Sequence, residues 1–258
     1  MTADAGSILV VGPSWVGDMV MSQVLYTWLR QTRPGVAIDV LAPAWSGPIL
    51  ERMPEVRSAI AMPLGHGELG LGRRWRLGRK LRAGRYDQAI LLPNSLKSAL
   101  VPWFAGIPRR TGWRGEMRYG LVNDLRLLDE EALPLMVQRF VALGLAPGES
   151  LPANLPAPRL AVDRSQAHRC SQAMGLAPEQ PLLALCPGAE FGGAKRWPAE
   201  YYAELAAHYL AKGWQVALFG SANDQPVTAA IRAGCDDHPA CIDLAGRTRL
   251  AEAVDLLS

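Results

Sequence analysis

Residues 10–19 read VVGPSWVGDM, in which an apolar run ends at Gly12 and four residues separate it from Gly17. A glycine pair at this spacing, between a strand and a helix, is typical of a phosphate-binding loop that continues with Lys and then Ser or Thr. Asp18 and Met19 occupy those two positions, and a carboxylate beside a polyphosphate would repel it. The dinucleotide fingerprint is absent as well, because residues 13–15 are Pro, Ser and Trp. The stretch therefore predicts a strand-to-helix turn of an α/β protein that carries neither phosphate-binding motif.

Asp18 has two interpretations that the loop alone leaves open. As a helix N-cap, its side chain would accept a backbone N–H and contribute about 1 kcal/mol to stability. As a general base, it would lie at the carboxyl end of the first strand, the edge at which open α/β sheets bind their ligands. A helix N-terminus nearby would favour the ionised carboxylate in either case.

Apolar runs alternate with amphipathic segments along the whole chain, which is typical of βαβ units and parallel sheets. The predicted strands are 8–11, 38–41, 88–92, 182–186, 215–219 and 241–244. The predicted helices are 19–31, 132–143, 164–174, 199–211, 225–233 and one that begins near residue 250. A chain of 258 residues reaches the size at which one core usually becomes two domains. We predict domains at 1–150 and 161–258, with a proline-rich linker at 151–160 that cannot be a helix or a central strand.

Composition excludes several classes of protein. The first residues, MTADAGS, show no basic segment followed by an apolar stretch, and no run of about 18 apolar residues could span a bilayer, so we expect a cytoplasmic protein. The four cysteines lack C-x-x-C spacing, which predicts reduced thiols. Cys235, His238 and Cys241 would make a poor zinc site without a fourth ligand nearby. The α/β pattern also lacks any recognised nucleic-acid motif.

Four stretches carry a resemblance to a known family: GPSWVGDMVMSQ (12–23), APAWSGPIL (42–50) with RMPEV after it, LPNSLKSALVPWFAGIPRRTGWRGEMRYGL (92–121) and CPGAEFGGAKRWP (186–198). They resemble the ADP-heptose-dependent lipopolysaccharide heptosyltransferases of glycosyltransferase family 9, nearly from end to end of the chain. The resemblance implies a GT-B fold of two Rossmann-like, doubly wound domains. It also implies that heptose moves, with inversion, from ADP-L-glycero-D-manno-heptose to the inner-core heptose of heptosyl-Kdo2-lipid A.

The resemblance assigns a role to Asp18, which matches the family's proposed catalytic base. It would take the proton from the acceptor hydroxyl as that oxygen attacks the anomeric carbon and ADP leaves. No metal or cofactor is needed if cationic side chains and backbone amides hold the diphosphate.

The donor would bind where CPGAEFGGAKRWP follows a predicted strand and precedes a helix, because small residues let backbone N–H groups approach an anion. The family's phosphate-contacting lysine maps to Lys195, and a solvated Lys-Arg pair is the alternative. Polar residues after the next strand add a weaker assignment, since such residues are often only turn residues. The predicted donor-binding set is Gly188, Ala189, Glu190, Lys195, Arg196, Ser221 and Asp224.

The acceptor would bind the first domain, whose 150 residues hold 18 Lys and Arg against 13 Asp and Glu. Arginine side chains suit phosphate and carboxylate groups, and aromatic faces suit sugar rings. The predicted acceptor-binding set is Ser14, Trp15, Asn94, Ser95, Lys97, Arg114 and Arg118. Seven basic residues also fall within Arg73–Arg85, around Trp75. That run is either a solvated helix face or a surface for the acceptor's anionic groups and the anionic inner membrane leaflet.

Two further hypotheses compete with this one. The family carries an Asp-Ser/Thr-Gly-x-x-His segment after the helix that begins near Leu250, and the sequence ends before it. We therefore expect a second domain that is C-terminally incomplete, and the alternative function is a non-catalytic acceptor-binding fragment. A nicotinamide-dependent enzyme is disfavoured because the glycine fingerprint is absent.

Overall fold

A computed structural model describes residues 6–65, 67–189 and 193–258. Over these residues the chain divides into two compact units, Met1–Ala161 and Val162–Ser258. Each unit is an α/β structure built on a parallel sheet. Within the described residues, no helix is both long and apolar enough to cross a membrane.

The described part of the first unit contains six parallel strands. They are β1 (Ser7–Val11), β2 (Ala37–Pro43), β3 (Ser58–Met62), β4 (Gln88–Leu91), β5 (Arg109–Trp113) and β6 (Asp124–Arg126). Their order in the sheet is β3-β2-β1-β4-β5-β6. This is the strand order of a doubly wound Rossmann sheet, in which the direction of winding reverses between β1 and β4.

Helices cover both faces of this sheet. They are α1 (Val16–Thr32), α2 (Gly47–Leu50), α3 (Leu71–Leu81), α4 (Leu96–Phe104) and α5 (Met136–Gly144). Alternate residues of a strand point to opposite faces, so Leu9 of β1 packs in one cluster with Val101 of α4. On the other face α1 packs against α5, where Val24 meets Val141.

The proline-rich segment predicted as a linker packs along the first unit. Leu151 and Leu155 pack against the cluster that joins α1 to α5. The side-chain amide of Gln23 accepts from the N–H of Arg159 at 2.8 Å and donates to its carbonyl at 2.9 Å. The boundary between the compact units follows directly, at Ala161.

The described part of the second unit repeats the pattern on a smaller sheet. Its strands are β7 (Leu182–Leu185), β8 (Gln215–Leu218) and β9 (Cys241–Asp243), parallel and in that order. Its helices are α6 (Arg164–Met174), α7 (Ala199–Leu210), α8 (Gln225–Ala233) and α9 (Leu250–Leu256). Helices α7 and α8 pack in one cluster, and α6 and α9 pack in another. The predicted elements of this unit are confirmed to within one residue at each end.

Candidate active site

The carboxyl edge between β1 and β4 is the point at which the winding of the first sheet reverses. Val11 of β1 lies opposite Leu91 of β4, and both strands end there. The N–H of Gly12 still bonds the carbonyl of Leu41 at 2.9 Å, and the N–H of Leu92 bonds the carbonyl of Val11 at 3.1 Å. The segments that follow β1 and β4 therefore begin next to each other at this edge of the sheet. Open α/β sheets bind their ligands in the crevice at this position.

Asp18 lies at this edge, in the first turn of α1. The N-cap of α1 is Trp15, in extended conformation and without a side-chain capping bond, so the interpretation of Asp18 as an N-cap is wrong. The carboxylate is partly buried and forms no hydrogen bond or ion pair with any residue that the structure describes. A first-turn acid is stabilised by the helix dipole. The structure therefore leaves a carboxylate at the ligand-binding edge with its lone pairs available.

The loop after β4 carries three of the predicted acceptor-binding residues. Asn94 is exposed, whereas Ser95 and Lys97 are partly buried at the start of α4. The loop rests on the β5–β6 connection, because the N–H of Leu96 donates to Glu116 Oε2 at 2.7 Å and the N–H of Glu116 donates to the carbonyl of Asn94 at 3.2 Å. Glu116 was missed by the sequence analysis, although it is the single acid of the stretch RRTGWRGEMRYG.

Arg118 requires a correction. It was predicted to bind the acceptor, but its side chain is only 1% exposed. Its guanidinium bonds to the protein itself, and the two shortest bonds, both 2.7 Å, run to the carbonyls of Pro93 and Trp113. Both Nη groups are bonded to the protein and the side chain is enclosed, so the guanidinium cannot contact a ligand directly.

The remaining predicted acceptor residues are surface residues of the same unit. Ser14 and Trp15 are exposed in the loop between β1 and α1. Arg114 is exposed after β5 and is anchored through its backbone, whose N–H donates to the carbonyl of Arg126 at 2.7 Å. The charged groups of Arg114 and Lys97 have no bonding partner within residues 6–65, 67–189 and 193–258. Both are cations that a ligand at this edge can reach.

The loops after β7 and β8 form the carboxyl edge of the second sheet. Asp224 Oδ2 accepts from both the N–H and the Oγ of Ser221 at 2.8 Å, which closes a capping box on the short 3₁₀ turn Ala222–Asp224. Gly188 and Gly220 back directly onto that carboxylate, since a Cβ at either position would overlap it. Ser221 and Asp224, predicted as donor contacts, therefore satisfy each other and shape the two loops.

The loop between β7 and α7 presents one unpaired cation. Lys195 ends a short 3₁₀ helix (Gly193–Lys195), is exposed, and has no ion-pair partner among the residues described. Arg196, predicted beside it, instead closes the loop through bonds from Nη2 at 2.9 Å and Nε at 3.3 Å to the carbonyl of Ala189. Glu190, also predicted to bind the donor, lies outside the described residues.

The described residues contain no cluster of three or more His, Cys, Asp or Glu side chains that could hold a metal ion. His238 uses Nδ1 to accept the N–H of Ala240 at 3.2 Å. Burial raises the pKa of the Cys241 thiol to about 11, so the thiol is protonated at neutral pH. The poor zinc site considered from the sequence has no support here.

Comparisons with known proteins match this arrangement. A family model for glycosyltransferase family 9 (heptosyltransferase) matches residues 74–258. Lipopolysaccharide heptosyltransferase 2 of Escherichia coli K12 is 54% identical over 259 residues, which are 97% of this chain and 74% of the relative. Lipooligosaccharide heptosyltransferase 2 of Haemophilus influenzae Rd is 49% identical over 98% of this chain and 75% of its own length.

Solved structures agree with the family match. ADP-heptose LPS heptosyltransferase II of E. coli superposes with a TM-score of 0.90 at 52% identity, over 97% of this chain and 76% of that one. A family 9 glycosyltransferase of Veillonella parvula shares the fold, with a TM-score of 0.84 at 18% identity, over 100% of this chain and 74% of that one. The resemblance carried by the four sequence stretches is confirmed. The chain belongs to glycosyltransferase family 9, the heptosyltransferases, and is a glycosyltransferase with the GT-B type of α/β fold.

Proposed function

We propose that the protein transfers heptose from ADP-L-glycero-D-manno-heptose to the inner-core heptose of heptosyl-Kdo2-lipid A, with inversion at the anomeric carbon. The observation that carries this proposal is the unpaired carboxylate of Asp18 at the reversal point of the first sheet, beside the loop of Asn94. The names of the relatives support heptose as the transferred sugar and lipopolysaccharide as the acceptor class.

Asp18 acts as general base in this proposal. The carboxylate accepts the proton of the attacking acceptor hydroxyl, and the hydroxyl oxygen forms a bond to the anomeric carbon from the face opposite ADP. The bond from the anomeric carbon to the phosphate oxygen breaks, and ADP leaves with the electron pair. One proton passes to Asp18, so atoms and charge balance without an oxidant or a reductant.

The donor is held by the second unit in this proposal. Lys195 supplies positive charge to the diphosphate, and the backbone N–H groups of the loop after Gly188 supply hydrogen bonds. The capping box of Ser221 and Asp224 fixes the neighbouring loop. Because the charge of the leaving ADP is met by these groups, we propose that no metal ion or other cofactor takes part.

The test is transfer from ADP-heptose to heptosyl-Kdo2-lipid A, with release of ADP and the mass increase of one heptose as readouts. We expect ADP release and the mass increase of one heptose, at rates that depend on the concentrations of ADP-heptose and of the acceptor. If the acceptor binds but ADP-heptose is not consumed, the protein is an acceptor-binding protein without catalysis, and the proposal fails.

We also propose that the protein contacts the anionic cytoplasmic face of the inner membrane peripherally. Helix α3 carries five basic residues and no acid. Two of these basic residues are bound within the protein. Arg74 is buried and donates to backbone carbonyls, and Arg73 forms an ion pair with Glu68 at 2.6 Å. The exposed basic residues of α3 that have no ion-pair partner among the described residues are Arg76, Arg79 and Lys80.

Aromatic side chains accompany this charge. Trp75 of α3 and Trp103 of the adjoining α4 are 48% and 47% exposed, and the Arg79 guanidinium lies 5.5 Å from the centre of the Trp75 ring. Basic residues near an anionic bilayer contribute about 1 kcal/mol each, and tryptophan favours the membrane interface.

Co-sedimentation with vesicles tests this contact. Binding is expected with vesicles that contain anionic phospholipid, and it should weaken with salt and in the triple variant Arg76→Gln/Arg79→Gln/Lys80→Gln. The matched control, Arg164→Gln/Arg169→Gln/Lys212→Gln, removes equal charge from the second unit and should bind normally. Equal loss in both variants, or equal binding to purely zwitterionic vesicles, would contradict the contact.

A further inference from the structure

Arg118 lies beneath the loop that joins β4 to α4. Its guanidinium reaches atoms of that loop and of the end of β5. Nη1 donates to the carbonyl of Pro93 at 2.7 Å, to Ser98 Oγ at 3.1 Å and, at a longer 3.5 Å, to the carbonyl of Ser95. Nη2 donates to the carbonyl of Trp113 at 2.7 Å and to Asn94 Oδ1 at 3.2 Å. One side chain therefore ties five acceptors together.

Burial of a guanidinium is costly unless the protein satisfies its N–H groups. At Arg118 both Nη groups are satisfied, and Nε is buried without a partner among the described residues. The planar fork of arginine serves acceptors on two sides at once, which the single ammonium group of lysine cannot do. Here one side is the β4–α4 loop and the other is the end of β5. The bonds fix the position of the loop relative to the sheet.

The same loop is clamped from the β5–β6 connection. Glu116 bonds the backbone on both sides of Ser95, through the N–H of Leu96 and the carbonyl of Asn94. Gly115 packs so closely that a Cβ there would lie 2.5 Å from the carbonyl oxygen of Asn94. Asn94 is thus held by its backbone from one side and by its side chain from the other.

The contact with Arg118 also sets the orientation of the Asn94 amide. A guanidinium can only donate, so Asn94 must turn its oxygen, Oδ1, toward Nη2. The NH2 group, Nδ2, is then left as the outer end of an exposed side chain, with no partner among the residues described. It offers a hydrogen-bond donor at the edge where Asp18 offers an acceptor.

We propose that Arg118 is a positioning residue for the acceptor sugar: it holds the β4–α4 loop and turns the Asn94 amide so that Nδ2 donates to an oxygen of the acceptor. The ligand chemistry that fits is an oxygen-rich group, a sugar hydroxyl or carboxylate. This inference rests on the proposed function, in which the first unit binds the acceptor. Arg118 acts through Asn94 and does not touch the substrate.

The decisive variant is Arg118→Lys, compared with Arg110→Lys. Arg110 is a matched control because it also donates to three backbone carbonyls, those of Ile107, Gly120 and Leu121, none of which belongs to the β4–α4 loop. Both substitutions should lower the Tm to a similar degree. Arg118→Lys should raise the KM for the acceptor by about tenfold to a hundredfold and leave the KM for ADP-heptose within about twofold. Arg110→Lys should change neither KM.

A second variant keeps the proposal testable if Arg118→Lys does not fold. Asn94→Asp preserves the contact with Arg118 as a charge-assisted bond but replaces the outer NH2 group with an oxygen. It should fold normally and lose acceptor affinity by at least about tenfold. Normal acceptor affinity in this variant would overturn the inference, as would equal changes of both KM values in Arg118→Lys.

A binding measurement without the donor distinguishes failure of the proposed function from failure of this inference. Titration of O-deacylated heptosyl-Kdo2-lipid A into the protein, followed by calorimetry without the donor, measures acceptor binding when no transfer occurs. If the unsubstituted protein binds the acceptor but transfers nothing, the reaction is wrong while the role of Arg118 is still decided by the two variants. If Arg118→Lys and Arg110→Lys bind the acceptor equally well, the positioning role is wrong.

Discussion

Val11 and Leu91 lie opposite each other in neighbouring parallel strands, and they are followed by Asp18, in the first turn of α1, and by Asn94, in the β4–α4 loop. The connection after β1 continues into a helix whose opening turn holds an acid, and the connection after β4 offers an amide. An acceptor hydroxyl needs a base for its proton, and the rest of the sugar needs donors that hold it still. The adjacency of β1 and β4 brings these two requirements to one edge.

Asp18→Asn tests the base. Because the carboxylate bonds to no described residue and loses only its interaction with the helix dipole, the substitution should lower the Tm by no more than about 4 °C and should not weaken acceptor binding. The value of kcat should fall by about a hundredfold or more, since an amide cannot accept the proton. The comparison protein is Glu200→Gln, which removes a first-turn acid from α7 and should keep full turnover. Unchanged kcat in Asp18→Asn would remove Asp18 from the mechanism.

Lys195→Met tests the donor site. The exposed ammonium group has no partner among the described residues, so its loss should not reduce stability. The KM for ADP-heptose should rise about tenfold, and the KM for the acceptor should stay constant. Lys212→Met is the control, because Lys212 is an exposed lysine of the same unit that lies 5.4 Å from the Tyr209 ring. Equal effects of both variants would indicate a general charge effect.

Chelation tests the proposal that no metal takes part. Transfer measured after dialysis against EDTA should keep more than about half of the untreated rate, because Lys195 and backbone N–H groups meet the charge of the diphosphate. A metal-dependent enzyme would lose nearly all activity and regain it with Mg²⁺ or Mn²⁺. Such loss and recovery of activity would contradict the proposal and would mean that other residues bind a metal ion.

The fold was predictable where strands are buried on both faces. Strands β1, β2 and β4 read as apolar runs and lie in the centre of the sheet, so their predictions are confirmed to within two residues. Strands β3, β5 and β6 were missed. Ser58, Ala59 and Ala61 of β3 are exposed at the sheet edge, β5 begins with Arg109 and Arg110, and β6 has three residues. Strands β5 and β6 lack the apolar run on which such a prediction depends, whereas β3 has a four-residue run, residues 59–62, that the sequence prediction overlooked.

A site residue was predictable from the sequence where its place depends only on its position after a strand. It was not predictable where its role depends on whether the side chain is buried. Asp18 and Asn94 follow strands, so their place at the carboxyl edge could be inferred from the chain order. Arg114 and Arg118 look alike in the sequence, yet one is exposed and the other is enclosed. Tertiary packing on the β4–α4 loop makes that difference, and no spacing rule within RRTGWRGEMRYG encodes it. For the same reason the sequence does not distinguish Arg74, which is buried, from the exposed basic residues of Arg73–Arg85.

Asp124 gives a prediction about acid stability. Burial alone raises the pKa of Asp124, but hydrogen bonds from Arg126, Thr111 and Arg109 outweigh it and hold the pKa below its ordinary value. A carboxyl whose pKa is lower in the folded state stabilises the fold above its unfolded pKa of about 4, and this contribution is lost as the pH falls through the folded pKa. Asp124→Asn should therefore lower the free energy of unfolding at pH 7 by about 2 kcal/mol.

Urea unfolding of both proteins between pH 7 and pH 3 measures this effect. The difference in the free energy of unfolding should shrink as the pH falls below about 4. A constant difference across the range would mean that the substitution acts through packing and not through charge.

Gly12, which follows β1, and Gly17, in the first turn of α1, should respond oppositely to alanine. A Cβ at Gly12 would lie 3.1 Å from both Met19 Cε and Val40 Cγ1, so Gly12→Ala crowds the core and should lower the free energy of unfolding by about 1 kcal/mol. A Cβ at Gly17 meets no described atom within 4 Å, and alanine is the better helix former, so Gly17→Ala should be at least as stable as the unsubstituted protein.

Acceptor binding separates the roles of these two glycines further. If the open space at Gly17 admits the acceptor beside Asp18, Gly17→Ala should raise the acceptor KM several-fold in a protein whose stability is undiminished. Loss of acceptor binding without loss of stability is a signature of ligand access, because a packing defect would lower both. An unchanged KM in Gly17→Ala would show that the acceptor does not occupy the space beside Gly17.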